Sequence, residues 1–144
     1  MTKFDIKDFN SLVPELYVSD YNKSRRFYVN ILGFELGYER HSPDFALLIY
    51  GQAQIMIQQQ EPSDWHTGEL IYPYGRGINF QISTPSIDDV VSRLQKYDYP
   101  IRRGIEESWR KVAGNILVGE QEIHVLDPDG YFLRFSEEIG IKPA

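Results

Sequence analysis

The chain's three histidines are the side chains best suited to bind a metal ion or to move a proton near neutral pH. They are His41, His66 and His124, and they lie on different segments. No two have the short spacing that would bring them together on one face of a strand or helix. Cysteine is absent, which excludes thiolate nucleophiles, thiolate metal ligands and disulfides. We therefore expect no catalytic residues, and a metal site built from these histidines is poorly supported.

The overall composition limits the classes of partner. The net charge of −6 argues against duplex nucleic acid, because phosphate binding needs a basic surface. The same charge suits a neutral or cationic ligand. No apolar run approaches the length of a membrane span, and the first ten residues, MTKFDIKDFN, have no signal-peptide core. We expect a cytoplasmic protein with no membrane partner.

One pattern of segments occurs twice. Leu12–Val18 alternates as a strand does, an amphipathic stretch runs from Asp20 to Leu32, and paired strands follow. The same order returns with Gly77–Ile82, then Pro85–Tyr97, then strands that end in DPDGYFLRF. The repeat predicts an α+β fold in which two βαβββ modules form paired, curved mixed sheets around a concave cleft. We expect a single domain over 1–144, with an arm (1–10), module one (about 11–60), a connector (about 61–76) and module two (about 77–137).

The ends of the helices and one turn carry their own signals. Ser19 or Asp20 can cap the first helix, and Gly33 can end it. Thr84 followed by Pro85 predicts the start of the second helix. The sequence Asp127-Pro-Asp-Gly130 is typical of a type I turn before the last strand, which we place at Tyr131–Ser136.

Three of these segments carry a resemblance to a known family. VSDYNKSRRFYVNILGF, GRGINFQI and DPDGYFLRF resemble the bleomycin-resistance branch of the glyoxalase and extradiol dioxygenase superfamily, also called the vicinal oxygen chelate superfamily. The resemblance runs from Leu12 to Glu137 and implies the same paired modules. It also implies that metal-dependent relatives bind a divalent ion on the concave face, through the first strand of each module and the closing strands.

This chain departs from that ligand pattern. Val13 and Gly77 stand at the two first-strand histidine positions, Arg134 stands at the final carboxylate position, and Met56 occupies the closing strand of module one. Valine, glycine and arginine provide no ligand for a hard divalent ion, and methionine is a soft one. We therefore expect no metal and no other cofactor.

Strand alternation predicts which side chains face the cleft. If the former ligand positions face it, residues two away do so as well. The opposite set is almost entirely apolar, as residues under the helices should be. Glu122 and His124 share one parity and can join the rim, while two tryptophans can stack on a flat or cationic ligand. The candidate ligand-binding residues are Glu15, Tyr17, Gln54, Met56, Trp65, Asn79, Gln81, Trp109, His124 and Arg134.

Several alternatives stay open. Glu15 and Arg134 could form a salt bridge between strands, contact a ligand, or do both, and each tryptophan could instead cover the core. The first functional hypothesis follows the resemblance to bleomycin-resistance proteins: a metal-free protein that sequesters an aromatic or cationic antibiotic-like molecule in a cleft of a homodimer. The resemblance also implies that residues 1–10 are exchanged between subunits. The second is a metal-dependent lyase, isomerase or dioxygenase with Glu15, Glu122 and His124 as relocated ligands. A third is an immunity or regulatory module for another natural product.

Overall fold

The computed structural model describes residues 4–62 and 65–144 and contains two four-stranded mixed sheets. Two compact units are present: one holds the chain up to Tyr74 together with Asp127–Gly130, and the other holds Gly75–Leu126 and Tyr131–Ala144. The strand orders are β1-β4-β3-β2 and β5-β8-β7-β6, with one parallel pair in each sheet. The two sheets have equivalent topology, which confirms the duplicated α+β unit.

The elements follow the predicted order. In the first unit the strands are β1 (Glu15–Val18), β2 (Glu35–Arg40), β3 (Phe45–Tyr50) and β4 (Ala53–Gln59), with α1 (Tyr21–Arg25) continuing as a π-helix (Arg26–Ile31). In the second they are β5 (Asn79–Ser83), α2 (Ile87–Lys96), β6 (Arg103–Ala113), β7 (Ile116–Leu126) and β8 (Phe132–Pro143). A short 3₁₀ turn, Ile6–Asp8, precedes β1. That the two units together form a single domain stays a prediction.

The start of the first helix was predicted correctly. The Asp20 side chain accepts a hydrogen bond from the Lys23 amide at 3.1 Å, which satisfies one of the free N–H groups of the first turn. Phe27 and Tyr28 are buried on the inner face of the helical segment. Gly33 follows with a φ of 85°, a conformation that ends a helix and is easiest for glycine.

The start of the second helix was predicted two residues too early. Ser86, not Thr84, is the cap, and its hydroxyl accepts a hydrogen bond from the Asp89 amide at 3.1 Å. Thr84 still belongs to the sheet edge, because its amide donates to the carbonyl of Ser136 at 2.9 Å. The helix can therefore begin only after Pro85 has turned the chain.

The strand ends also differ from the prediction. The first strand begins at Glu15 rather than Leu12, and Leu12 is exposed. In the second sheet, β8 continues to Pro143 beyond the predicted end at Ser136, because the residues that follow keep pairing with an extended β7. A bulge at Gly119–Glu120 accommodates the extension.

Most of the apolar set predicted to lie beneath the helices is buried. In the first sheet this holds for Leu16, Val18, Ile55 and Ile57, and in the second for Ile82, Ile123, Val125, Leu133 and Phe135. Ile78 is an exception: it is exposed because it lies just before β5, whose regular pairing begins at Asn79. The alternation of buried and exposed residues therefore fixes which face of each sheet carries the polar groups.

The DPDG segment forms the predicted turn and also anchors the first unit. The Gly130 amide donates to the Asp127 carbonyl at 2.9 Å. The Tyr28 hydroxyl donates to Asp127 Oδ2 at 2.7 Å, and the Ser19 amide donates to Asp129 Oδ2 at 3.0 Å. Both carboxylates are buried, so these hydrogen bonds replace water that the groups have lost.

Within the described parts of the chain, no helix is long and apolar enough to cross a membrane.

Candidate functional site

Four polar side chains meet on one face of the second sheet, and we call them the second-sheet cluster: Asn79, Glu122, His124 and Arg134. Arg134 Nη2 lies 2.5 Å from Glu122 Oε1, and its Nε lies 3.3 Å from Oε2. Arg134 Nη1 also donates to Asn79 Oδ1 at 3.1 Å, and His124 Nε2 lies 3.1 Å from Glu122 Oε2. Three of the four were predicted ligand-binding residues, and Glu122 was expected at the rim.

The cluster is stabilised around the Glu122 carboxylate. Burial acts to raise the pKa of Glu122, but the hydrogen bonds from Arg134 and His124 outweigh it and hold that pKa below its ordinary value. Arg110 adds a more distant positive group, with Nη2 at 3.8 Å from Glu122 Oε1. The carboxylate is therefore ionised at neutral pH and has its charge balanced by its neighbours.

The residues present do not fit a divalent metal ion. Arg134 brings a positive charge to the position where metal-dependent relatives are expected to have a carboxylate. Gly77 has a φ of 87°, a backbone conformation that disfavours any residue with a Cβ, so a histidine there would be strained. Among residues 4–62 and 65–144, no group of three or more histidine and acidic side chains could hold a metal ion.

The alternative ligand set meets a specific obstacle. Glu122 and His124 do lie together, as a relocated site would need. Both carboxylate oxygens of Glu122, however, accept hydrogen bonds from Arg134, so a metal would have to displace the guanidinium. Glu15, the third proposed ligand, is an exposed residue on β1. Within its own unit Arg134 is bound to Glu122, and the salt bridge of Arg134 with Glu15 stays a prediction.

Most of the remaining predicted residues lie on or near the first sheet, and one lies on the second. Met56 lies beside Glu15 in the parallel register of β1 and β4. The Tyr17 ring packs edge-on against His66, with 4.8 Å between ring centres. Trp65 is 92% exposed, so it does not cover the core. In the second sheet Gln81 is exposed and paired in register with Arg134.

Gln54 holds the N-terminal arm. Its Oε1 accepts from the Asn10 amide at 2.9 Å, and its Nε2 donates to the Asp8 carbonyl at 2.6 Å. Asn10 Nδ2 also donates to the Gln52 carbonyl at 2.8 Å. The amide of Gln54, predicted to contact a ligand, is thus used to fix residues 8–10 against β4. Exchange of the arm between subunits stays a prediction.

Aromatic contacts fix the beginning of the arm. Phe4 and Phe9 pack edge-to-face at 4.8 Å, and both rings lie about 6 Å from the ring of Tyr38 on β2. These contacts and those of Gln54 place the arm along one face of the first sheet. Sequence reasoning missed this placement because the arm has no periodicity of its own.

A cavity of about 600 Å³ opens between the arm and the first sheet. Its floor is a row across three strands, because Glu35 pairs with Ile49 and Ile49 with Gln54. Its wall comes from the arm. The lining residues are Phe4, Asp8, Asn10, Glu35, Ile49, Gly51, Gln52 and Gln54. Two carboxylates, several amides and two apolar side chains line the cavity, and no basic side chain is among them.

Trp109 lies apart from the second-sheet cluster. A Cβ on Gly119 would meet three atoms of the Trp109 ring at 2.7 Å, so the indole packs directly on the glycine. Gly119 is three residues from Glu122 along β7, and strand alternation puts the two on opposite faces. The Lys142 ammonium lies 3.9 Å from the ring centre. The indole already has a packing partner and a cation, and ligand binding by Trp109 stays a prediction.

Comparison with known proteins gives the class to which this fold belongs. Residues 9–135 match the profile of the Glyoxalase/Bleomycin resistance protein/Dioxygenase superfamily. Because the match covers most of the sequence, the chain belongs to this superfamily. The match does not assign the chain to the bleomycin-resistance branch of the superfamily. A search of curated proteins found no significant match.

Solved structures have the same fold at low sequence identity. A glyoxalase/bleomycin resistance protein/dioxygenase from Alicyclobacillus acidocaldarius is 15% identical, with a TM-score of 0.64 and coverage of 92% of this chain and 94% of that one. A virulence protein from Salmonella typhimurium is 23% identical, with a TM-score of 0.63 and coverage of 91% and 98%. A lactoylglutathione lyase from Agrobacterium tumefaciens is 15% identical, with a TM-score of 0.59 and coverage of 88% and 92%. These likenesses concern the fold and not the activity.

Proposed function

We propose that this protein binds a small organic cation with an apolar or aromatic part, without the help of a metal, and sequesters it. The observation that carries the proposal is the cavity beside the N-terminal arm. Its volume of about 600 Å³ lies within the range of small-molecule sites. Its lining combines carboxylates with apolar side chains, the combination that a cation with an apolar body needs.

The charges at the cavity favour a cation over an anion. Asp8 and Glu35 both line it, and both side chains are exposed. A cleft lined by one sign of charge concentrates ligands of the opposite sign. Phe4 adds an aromatic ring, which can stabilise a cation further, and Ile49 offers an apolar contact.

The character of the former metal positions supports binding over metal-assisted catalysis. Val13, Met56, Gly77 and Arg134 occupy them, and the conformation of Gly77 and the ion pair of Arg134 both oppose a metal ion. The alternative, a metal-dependent lyase, isomerase or dioxygenase, requires Glu122 to leave its guanidinium partner. Similarity to bleomycin-resistance proteins makes an antibiotic-like ligand the first class to test. Location of the ligand in the cleft of a homodimer stays a prediction.

A thermal unfolding screen tests the proposal. The probes are bleomycin-like glycopeptides and planar aromatic cations, each compared with a neutral molecule of the same shape. At a hundred times its dissociation constant a bound cation should stabilise the protein by about 2.7 kcal/mol. The neutral analogues should stabilise it much less.

Matched variants then locate the site. Glu35→Gln should weaken binding of the cation, whereas Glu138→Gln, which changes an exposed carboxylate on β8, should leave it unchanged. Mn²⁺, Ni²⁺, Zn²⁺ and Fe²⁺ are screened in parallel. Stoichiometric stabilisation by one of these ions, with no effect of any organic cation, would contradict the proposal and favour the metal-dependent enzyme.

A further inference from the structure

The outer edge of the second sheet is an unpaired strand. β6 is 11 residues long and lies at the end of the order β5-β8-β7-β6. Its inner side pairs with β7, and among the described residues no strand pairs with its outer side. Nine of its residues are exposed, including Ile105 and Val112. A long exposed edge presents free backbone N–H and C=O groups and is a template for another strand.

The charges along this edge are arranged in two blocks. Glu106 and Glu107 precede Ser108 and Trp109, and Arg110 and Lys111 follow. A parallel copy of the strand in the same register would bring like charges together. An antiparallel copy brings the acidic block of each strand against the basic block of the other. The pattern is therefore self-complementary for one strand direction only.

Two-fold symmetry defines the register. When an antiparallel pair of identical strands has a two-fold axis normal to the sheet, one residue lies opposite its own copy. If that residue is Ser108, Glu106 lies opposite Arg110 of the partner subunit, and Arg110 lies opposite Glu106 of the partner subunit. These side chains share one face, and directly opposed charges of opposite sign stabilise a strand pair. Glu107 and Lys111 are diagonal neighbours on the other face.

The existing contacts of these side chains do not prevent the pairing. Glu106 is bound to Arg103 with 3.0 Å between charged atoms, but both side chains are more than half exposed. Such exposed pairs contribute little free energy, so Glu106 can change partner. Arg110 is also more than half exposed and lies 3.8 Å from Glu122.

We propose that β6 is a self-association surface, on which a second copy of this chain adds its own β6 in antiparallel orientation about Ser108. The two second sheets then form one eight-stranded sheet with the order β5-β8-β7-β6-β6-β7-β8-β5. Charges on a free edge often serve to keep other strands away. Here the same charges repel unrelated strands and select an identical antiparallel one. This surface is independent of the proposed ligand cavity.

Sedimentation velocity on the full chain tests the surface. The wild type should form a dimer, and Glu106→Arg or Arg110→Glu alone should raise the dimer dissociation constant by about tenfold or more, since each opposes like charges twice. The double variant E106R/R110E should restore dimerisation. An equimolar mixture of the two single variants should form a heterodimer, because one carries only basic and the other only acidic residues at these positions.

Two controls make the result specific. Glu138→Arg makes the same charge change on an exposed residue of β8 and should leave the dimer unchanged. Circular dichroism verifies that each variant is folded. A wild type that stays monomeric up to about 100 µM overturns the proposal. The proposal is also overturned if the protein dimerises but neither the single nor the double charge changes alter the dissociation constant. Another surface would then form the dimer.

Discussion

Arg134 on β8 and Glu122 on β7 form a two-point ion pair, with 2.5 Å between Nη2 and Oε1 and 3.3 Å between Nε and Oε2. The pair lies on the polar face of the second sheet, at the position where metal-dependent relatives are expected to place a carboxylate ligand. A guanidinium fork matches a carboxylate in geometry and is charged at all relevant pH values. Arg134 thus supplies a positive charge at this position, and its ion pair with Glu122 links two adjacent strands.

Removal of the Glu122 charge should destabilise the protein. Glu122→Gln is expected to lower the free energy of unfolding by about 2 kcal/mol, because it leaves a largely buried guanidinium without its carboxylate. Urea denaturation measures the change. Glu138→Gln, which neutralises an exposed carboxylate on the same sheet, should change the free energy by no more than about 0.5 kcal/mol. Equal effects of the two substitutions would show that the ion pair adds nothing to stability.

The same pair should give stability a specific dependence on pH. Burial raises the pKa of Glu122, the hydrogen bonds from Arg134 and His124 lower it more, and in the folded protein it lies below the ordinary value of 4.5. The unfolded chain therefore takes up this proton first as the pH falls. The contribution of Glu122 is complete above pH 4.5 and is lost as the pH falls through the lower pKa of the folded state.

A comparison of two proteins over pH isolates this effect. The difference in unfolding free energy between wild type and Glu122→Gln should shrink as the pH falls below about 5. Glu39, whose pKa the Arg25 guanidinium lowers, is present in both proteins and cancels in the difference. A difference that grows as the pH falls would mean that the pKa of Glu122 is raised by folding.

The sequence predicted the fold well because apolar and polar residues alternate along the strands in step with their burial. Alternation assigned Leu16 and Val18 to the core and Asn79 and Arg134 to the polar face, and both assignments agree with the structure. Alternation does not rank partners on one face, and for this reason the sequence did not single out Glu122 as a partner of Arg134.

Other features of the structure have no periodic pattern in the sequence. The arm bears no repeat, and its position depends on contacts of Asn10 with Gln54 across 44 residues of sequence. The DPDG turn was predicted from local chemistry, but its hydrogen bond to Tyr28 spans 99 residues and has no local signal. The cavity arises from the first of these contacts, so the sequence indicated only Gln54 among its lining residues.

The packing of Trp109 on Gly119 makes a prediction about stability. Gly119→Ala places a Cβ 2.7 Å from the indole ring, so the ring must move and the free energy of unfolding should fall by about 1 to 3 kcal/mol. Gly104→Ala, at a position on β6 with nothing within 4 Å of the added Cβ, is the matched control. Both are made in a Trp65→Phe background, so that the fluorescence reports Trp109 alone.

The fluorescence and a second-site change distinguish the cause. Gly119→Ala should shift the emission of Trp109, because its ring leaves the sheet surface and its contact with Lys142. Adding Trp109→Leu should recover part of the lost stability, since the smaller side chain removes the clash. An unchanged spectrum together with unchanged stability would contradict the packing of the indole on Gly119.

The final prediction concerns the hydrogen bonds between Gln54 and the arm. Gln54→Ala removes both hydrogen bonds that its amide makes with Asn10 and Asp8. The amides of residues 4–10 should then exchange with deuterium about tenfold faster, since a lost hydrogen bond of about 1 to 1.5 kcal/mol shifts the opening equilibrium by that factor. Gln52→Ala is the matched control for the exchange measurement, because Asn10 donates to the backbone carbonyl of Gln52, which the substitution keeps. Since the arm forms one wall of the cavity, Gln54→Ala should also weaken binding of an organic cation, and faster exchange with unchanged binding would place the ligand elsewhere on the protein.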